Sequence, residues 1–285
     1  LSQIRNRGDL PFPLTFDTLL ASLYGSHPYG RSALGQRQTV EGLDRARLLD
    51  HYRRHYRAGR IVLAVSGQVR ARAVVEEVGR LFADLPGGSE AADAATPTPA
   101  AAGARGMLER PAAQAQVLVG YLAPSLAGGD YAAVKVLTTL LGGGMSGRLF
   151  VQLRDKQGLA YSLGAIYPSR ADTSFLVIHM GTAAENLARA EEGLRREVAR
   201  VREERVTPEE LQRARAYLLG NLAMDRRTNS RQAWYLAFFE LAGVGHEFLD
   251  RYANAVEAVT IEDIQRVAGL YLASPTVTVL KPIPK

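Results

Sequence analysis

Leu141 to Tyr167, LGGGMSGRLFVQLRDKQGLAYSLGAIY, divides into a glycine turn, a short helix, a tight turn and a strand. Gly142, Gly143 and Gly144 end a preceding helix, because three residues without a Cβ leave little to favour a regular backbone. Arg148 to Lys156 has helical spacing, with Leu149, Val151 and Leu153 apolar and cations in the last turn, where they suit the helix dipole. Gly158 turns the chain, and from Tyr161 the period becomes two, so that Tyr161, Leu163, Ala165 and Tyr167 line one strand face. Arg154 therefore closes a helix and Tyr161 opens a strand, and a five-donor guanidinium and a phenol could converge there on one carbonyl oxygen. Spacing alone fits equally well a solvated Arg154 and a Tyr161 that fills core.

Downstream, Pro168 to Thr173 reads as a hairpin connection to a strand at Ser174–Met180, where apolar residues alternate. Thr182 with Glu185 reads as a capping box for a long helix carrying Leu187, Ala190, Leu194, Val198 and Val201 on one face. Thr207-Pro208 and Thr260 with Asp263 start two more helices, Trp234–Leu241 reads as an aromatic core helix, and Thr276–Leu280 as a last strand. Upstream lie a strand at Gln114–Tyr121 and a helix at Asp130–Leu141. Pro86 to Gly106, rich in Pro, Gly, Ala, Ser and Thr, cannot bury a core and reads as a linker. Before it come a turn at Gly8–Pro11, a helix at Phe16–Tyr24, the loop Gly25–Gly30, a helix at Thr39–Tyr56, a strand at Ile61–Val65 and a helix at Ala71–Leu81.

The run from Val40 through Tyr56 to Val62 matches that from Val256 through Tyr271 to Val277, at an offset of about 215 residues. The expectation is an α+β fold of duplicated domains, each a mixed, mostly antiparallel sheet covered by helices on one face. Residues 1–85 are then the C-terminal part of a first copy beginning about 130 residues before Leu1, 86–106 the linker, and 107–285 a second copy.

An apolar share of 47% in 285 residues is ample for a core, and no apolar run approaches the roughly 18 residues of a membrane span. With no cysteine there is no disulfide and no thiolate metal site. The charge of +6 comes from arginines interspersed with glutamates along helices, a pattern of solvated faces rather than of a nucleic-acid groove. His27 and His179 read as packing residues. His51 and His55 have the i, i+4 spacing of a zinc helix, but Arg53, Arg54 and Arg57 surround them and no carboxylate joins them, so no metal is expected here.

GRLF-VQLRDKQGLAYSLGA resembles the second domain of the pitrilysin, insulinase and mitochondrial processing peptidase family, zinc peptidases with an inverted H-x-x-E-H motif. The likeness continues in His27–Gly30, in Asp50–Val69 and in the terminal helices. It implies that Arg154 and Tyr161 hold the scissile region of a peptide beside a zinc borne by another domain, and that Gly143, Gly144 and Arg148 also bind substrate. By the same likeness the third zinc ligand, a glutamate before a segment like Ile4–Pro11, falls on Gln3, a poor ligand.

Three readings follow. The chain is a zinc-free subunit of a metalloendopeptidase, with zinc in a homologous partner or reached through self-association; or the C-terminal part of a single-chain zinc endopeptidase; or a non-enzymatic structural homologue. The expected location is a soluble bacterial compartment, the periplasm ahead of the cytoplasm.

Overall fold

The computed structural model describes residues 1–88, 99 and 103–284, so most of the linker expected at 86–106 lies outside the described residues. The helices before the linker are α1 (Ser2–Asp9), α2 (Pro11–Tyr24), α3 (Arg37–Glu41), α4 (Arg45–His55) and α5 (Ala71–Leu81). After it come β1 (Arg105–Pro111), β2 (Ala115–Ala123), α6 (Tyr131–Gly142), β3 (Ser162–Ile166) and β4 (Ser174–Thr182). The chain ends with α7 (Leu187–Glu203), α8 (Pro208–Asp225), α9 (Asn229–Leu241), α10 (Phe248–Ala258), α11 (Ile261–Tyr271) and β5 (Thr276–Ile283).

The five strands form one open mixed sheet in the order β1-β5-β2-β4-β3, antiparallel throughout except for the parallel pair β1–β5. This is the mixed α/β architecture that the strand and helix periods imply. β2 and β4 are apolar on both faces, as strands covered on both sides must be. Val117, Val119 and Tyr121 of β2 with Leu176, Ile178 and Met180 of β4 join the main core against α6, α7 and α11. On the opposite face Leu118, Phe175 and Val177 meet Leu19, Leu20 and Leu23 of α2, a helix from before the linker. Gly120 lets that helix approach, because a Cβ there would lie 3.0 Å from Leu19 Cδ2. Among the described residues no helix is long and apolar enough to cross a membrane.

Several expectations change in detail. The N-terminal turn is tighter than expected: α1 ends at Asp9, Pro11 holds the next residue, Leu10, extended (φ −90°, ψ 124°), and Pro11 then starts α2. Arg7 grips Asp17 across that bend through two 2.6 Å hydrogen bonds. The helix expected at Thr39–Tyr56 breaks at Gly42 and restarts where the Asp44 side chain accepts from the Arg47 N–H. Ile61–Val65 is extended but joins no ladder among the described residues, so it is not a sheet strand; Ile61, Leu63 and Val65 stand exposed. β1 begins inside the tract expected as linker, since Arg105 and Gly106 already pair with Val277 and Thr278 of β5.

Thr182 does not cap a helix. It lies in β4 and its hydroxyl donates to the Leu159 carbonyl, while α7 starts later at Leu187. Thr207 with Glu210 and Thr260 with Asp263 do form capping boxes. The aromatic helix α9 is less buried than expected: only Phe239 is fully covered, and Trp234 is exposed beneath the Arg231 guanidinium at 4.2 Å. His27 is buried in its loop; its Nδ1 accepts from the Tyr29 N–H, which leaves the Nε2 proton for Asp172.

His179 packs on Phe12 at 4.8 Å, against Gly164 of β3, and its Nδ1 has no hydrogen-bond partner. Burial pushes its pKa down to about 4, below the unfolded value of 6.5. The unfolded chain therefore binds more protons in that window, and stability is expected to rise from pH 4 to 6.5 by about 2 kcal/mol and then level off. Urea unfolding across this range should show that slope in the native chain and a flatter one in His179→Leu.

Candidate functional site

The turn after α6 is made by contact rather than by flexibility. A Cβ on Gly142 would lie 2.4 Å from the Ala165 nitrogen of β3, and one on Gly143 2.3 Å from the Thr139 carbonyl oxygen. Only glycine lets the end of α6 lie directly on the backbone of β3. Gly144 has φ +71° and faces the Tyr217 ring of α8.

The helix that follows carries Arg148 at its start, buried, with Nε and Nη2 each 2.8 Å from the Glu210 carboxylate. Glu210 also accepts from the Thr207 N–H at 2.9 Å, completing the cap of α8. The Arg148 guanidinium, followed by the capping hydrogen bond, holds the Glu210 carboxyl below the usual carboxylate range. Gly143, Arg148 and Tyr217 border a crevice of only about 20 Å³, space for a water rather than for a peptide. The expected substrate-binding residue Arg148 is thus committed to Glu210, and Gly143 and Gly144 shape the turn.

From Phe150 to Asp155 the helix is a π-helix, with the Lys156 N–H reaching back five residues to the Val151 carbonyl. Leu149 and Leu153 anchor it in the core, Leu153 against Gly193 of α7. Gly158, at φ +62°, ends it; Leu159 and Ala160 are buried, and the Tyr161 N–H donates to the Gly181 carbonyl of β4 at 2.9 Å. The backbone on both sides of the turn is therefore fixed.

Arg154 is exposed, its guanidinium over the Phe150 ring at 5.1 Å, and the Tyr161 side chain is 60% exposed. Neither side chain has a hydrogen-bond partner among the described residues. Two unused sets of donors thus stand on a rigid helix–turn–strand, an arrangement suited to carbonyl oxygens.

Among the described residues no three His, Asp, Glu or Cys side chains come together as a metal site. His51 and His55 stack at 4.3 Å on α4, but the nearby Asp50 pairs with Arg54. Gln3 is an exposed amide on α1.

A family model described as the peptidase M16 inactive domain matches residues 42–218. Among curated proteins, one named an uncharacterized zinc protease in Rickettsia bellii is 27% identical over 291 residues, covering 99% of this chain and 68% of its own length. Another of that description in Mycobacterium tuberculosis is 30% identical over 276 residues, covering 94% of this chain and 62% of its own. The chain thus spans about two thirds of these relatives. Among solved structures, a peptidase M16 inactive domain from Pseudomonas fluorescens superposes with a TM-score of 0.90 at 22% identity, over 100% of this chain and 69% of that one. A chain of complex III from Candida albicans does so at 0.83 and 15% identity, over 98% and 69%. At these identities the structural likenesses speak for the fold alone.

Glu210→Ala would leave the Arg148 guanidinium buried and unpaired, and is expected to cost about 3 kcal/mol, read as a lowered urea midpoint. Purified chain washed with a mild chelator is expected to retain far less than one zinc per molecule by elemental analysis; one tightly held zinc would point to His51 and His55.

Proposed function

Because the chain belongs to the M16 peptidase family and carries its inactive domain, we propose that it is the zinc-free part of a metalloendopeptidase. In this reading it presents Arg154 and Tyr161 to a peptide lying between this surface and a homologous zinc-bearing subunit. The observation that carries the reading is the pair of unengaged donors on a backbone fixed from both sides. The Tyr161 hydroxyl donates to the carbonyl oxygen as negative charge develops on it, and the Arg154 fork holds a neighbouring carbonyl. Gly143 and Gly144 border the peptide through their backbone, with Arg148 behind them as a positioning residue. Activation of the attacking water belongs to the partner.

Residues 1–85 are in this proposal the remainder of a first domain and 107–285 a complete second one. A second reading, that both domains belong to one polypeptide, is favoured by one observation: the relatives named zinc proteases extend well beyond the part this chain matches.

With the zinc-bearing homologue added, Tyr161→Phe is expected to lower peptide turnover by about 10²-fold, as loss of one oxyanion donor does. Its melting temperature should stay within about a degree, because surface side chains contribute little to stability. Arg154→Ala should also raise KM. Unchanged turnover together with a melting point lowered by several degrees would make Tyr161 a packing residue and end this reading.

A further inference from the structure

A second feature lies away from Arg154 and Tyr161, on the helical side of the sheet. Lys135 of α6 points its ammonium at the Tyr167 carbonyl oxygen, 2.7 Å away, between the rings of Tyr131 at 5.3 Å and Tyr167 at 4.9 Å. No carboxylate pairs with it among the described residues. Burial pushes its pKa down to about 8, so at neutral pH it still carries its charge. A buried ammonium with one neutral acceptor and two ring faces is under-compensated.

The same lysine lines a cavity of about 300 Å³ between α6, α8, α9 and α10. Tyr131, Phe239, Leu249 and Tyr252 form buried walls, and Ser169 and Asn221 offer polar atoms. Asp225 also borders the cavity, but its charge is balanced by Arg231, whose Nε lies 2.6 Å from Oδ2, and the Tyr235 hydroxyl donates to the same oxygen at 2.5 Å. The available charge is therefore the positive one, and the available surface is aromatic. Mostly apolar walls with one unpaired charged group are what a small amphipathic ligand requires.

We propose that this cavity binds a small aromatic carboxylate, its ring among Tyr131, Phe239 and Tyr252 and its anionic end on the Lys135 ammonium. Such a ligand supplies the anionic acceptor that Lys135 lacks, and its ring joins the aromatic cluster of Tyr131, Tyr252 and Phe248, whose centroids lie 5.5 to 5.9 Å apart. This site is independent of the peptide-facing residues and stands whether or not the peptidase reading does.

The test is calorimetric titration of the full chain at pH 7 with 3-phenylpropanoate, 3-phenylpropanol and 3-phenylpropylamine, which share a body and differ in charge. The acid is expected to bind with a sub-millimolar Kd and the alcohol about tenfold more weakly. Lys135→Met, close in shape but uncharged, should bind acid and alcohol alike, and Leu222→Trp, which fills the cavity, should bind neither. No saturable binding of the acid up to about 10 mM would overturn the proposal. So would equal binding of acid and alcohol by the native chain, or a preference for the amine, which would assign the site to Asp225. If Lys135→Met does not fold, the three ligands on the native chain decide the matter alone.

Discussion

One carboxylate holds the centre of this molecule together. Glu210 accepts two hydrogen bonds from Arg148 and a third from the Thr207 N–H, so the same group starts α8 and clamps the segment that follows the glycine turn. A guanidinium this far from water cannot be left without a partner, and the pair therefore fixes the register of the turn against α8. Everything the surface offers a ligand, from Phe150 to Tyr161, hangs from that anchor at one end and from the Gly181 carbonyl at the other. The exposed side chains can be unengaged because the backbone beneath them is not free to move.

The residues before 86 and those after 106 differ in how they treat apolar surface. After 106, β2, β4 and α6 are almost wholly buried. Before 86, Leu43, Leu48, Leu63, Val75 and Leu81 each expose half or more of their surface. Aliphatic exposure on that scale marks a surface suited to contact with another apolar face. The internal repeat gives this a form: α11 leads into β5, which sits between β1 and β2, whereas α4 leads into Ile61–Val65, an extended segment that joins no ladder among the described residues.

Much of the second half was legible from the sequence, because period-two and period-3.6 patterns there answer to a real core. β2, β4, β5 and the caps at Thr207 and Thr260 fall where the pattern puts them. Thr182 misled because a Thr before a Glu three residues on suits a cap, while the hydroxyl found a nearer carbonyl at Leu159. β1 was hidden because a parallel edge strand takes its register from β5, not from its own alternation. Arg154 and Tyr161 were visible as residues, and their freedom from internal partners was not, since exposure depends on packing. Lys135 gave no signal at all: a lysine in an apolar helix looks ordinary until the surrounding rings are placed.

The π-helical stretch has a consequence for how this surface could be altered. An α-helix advances each side chain by about 100° per residue, so a single added residue accommodated as a π-bulge re-aims everything after it. Deleting one residue between Phe150 and Leu153 would let the segment relax to ordinary α geometry while Gly158 and the strand beyond stay put. Arg154 would then swing about a quarter turn around the helix axis, away from the side it now shares with the Phe150 ring. Its direction is in this sense a matter of counting: one residue more or fewer changes where the charge points while Arg154 itself stays the same.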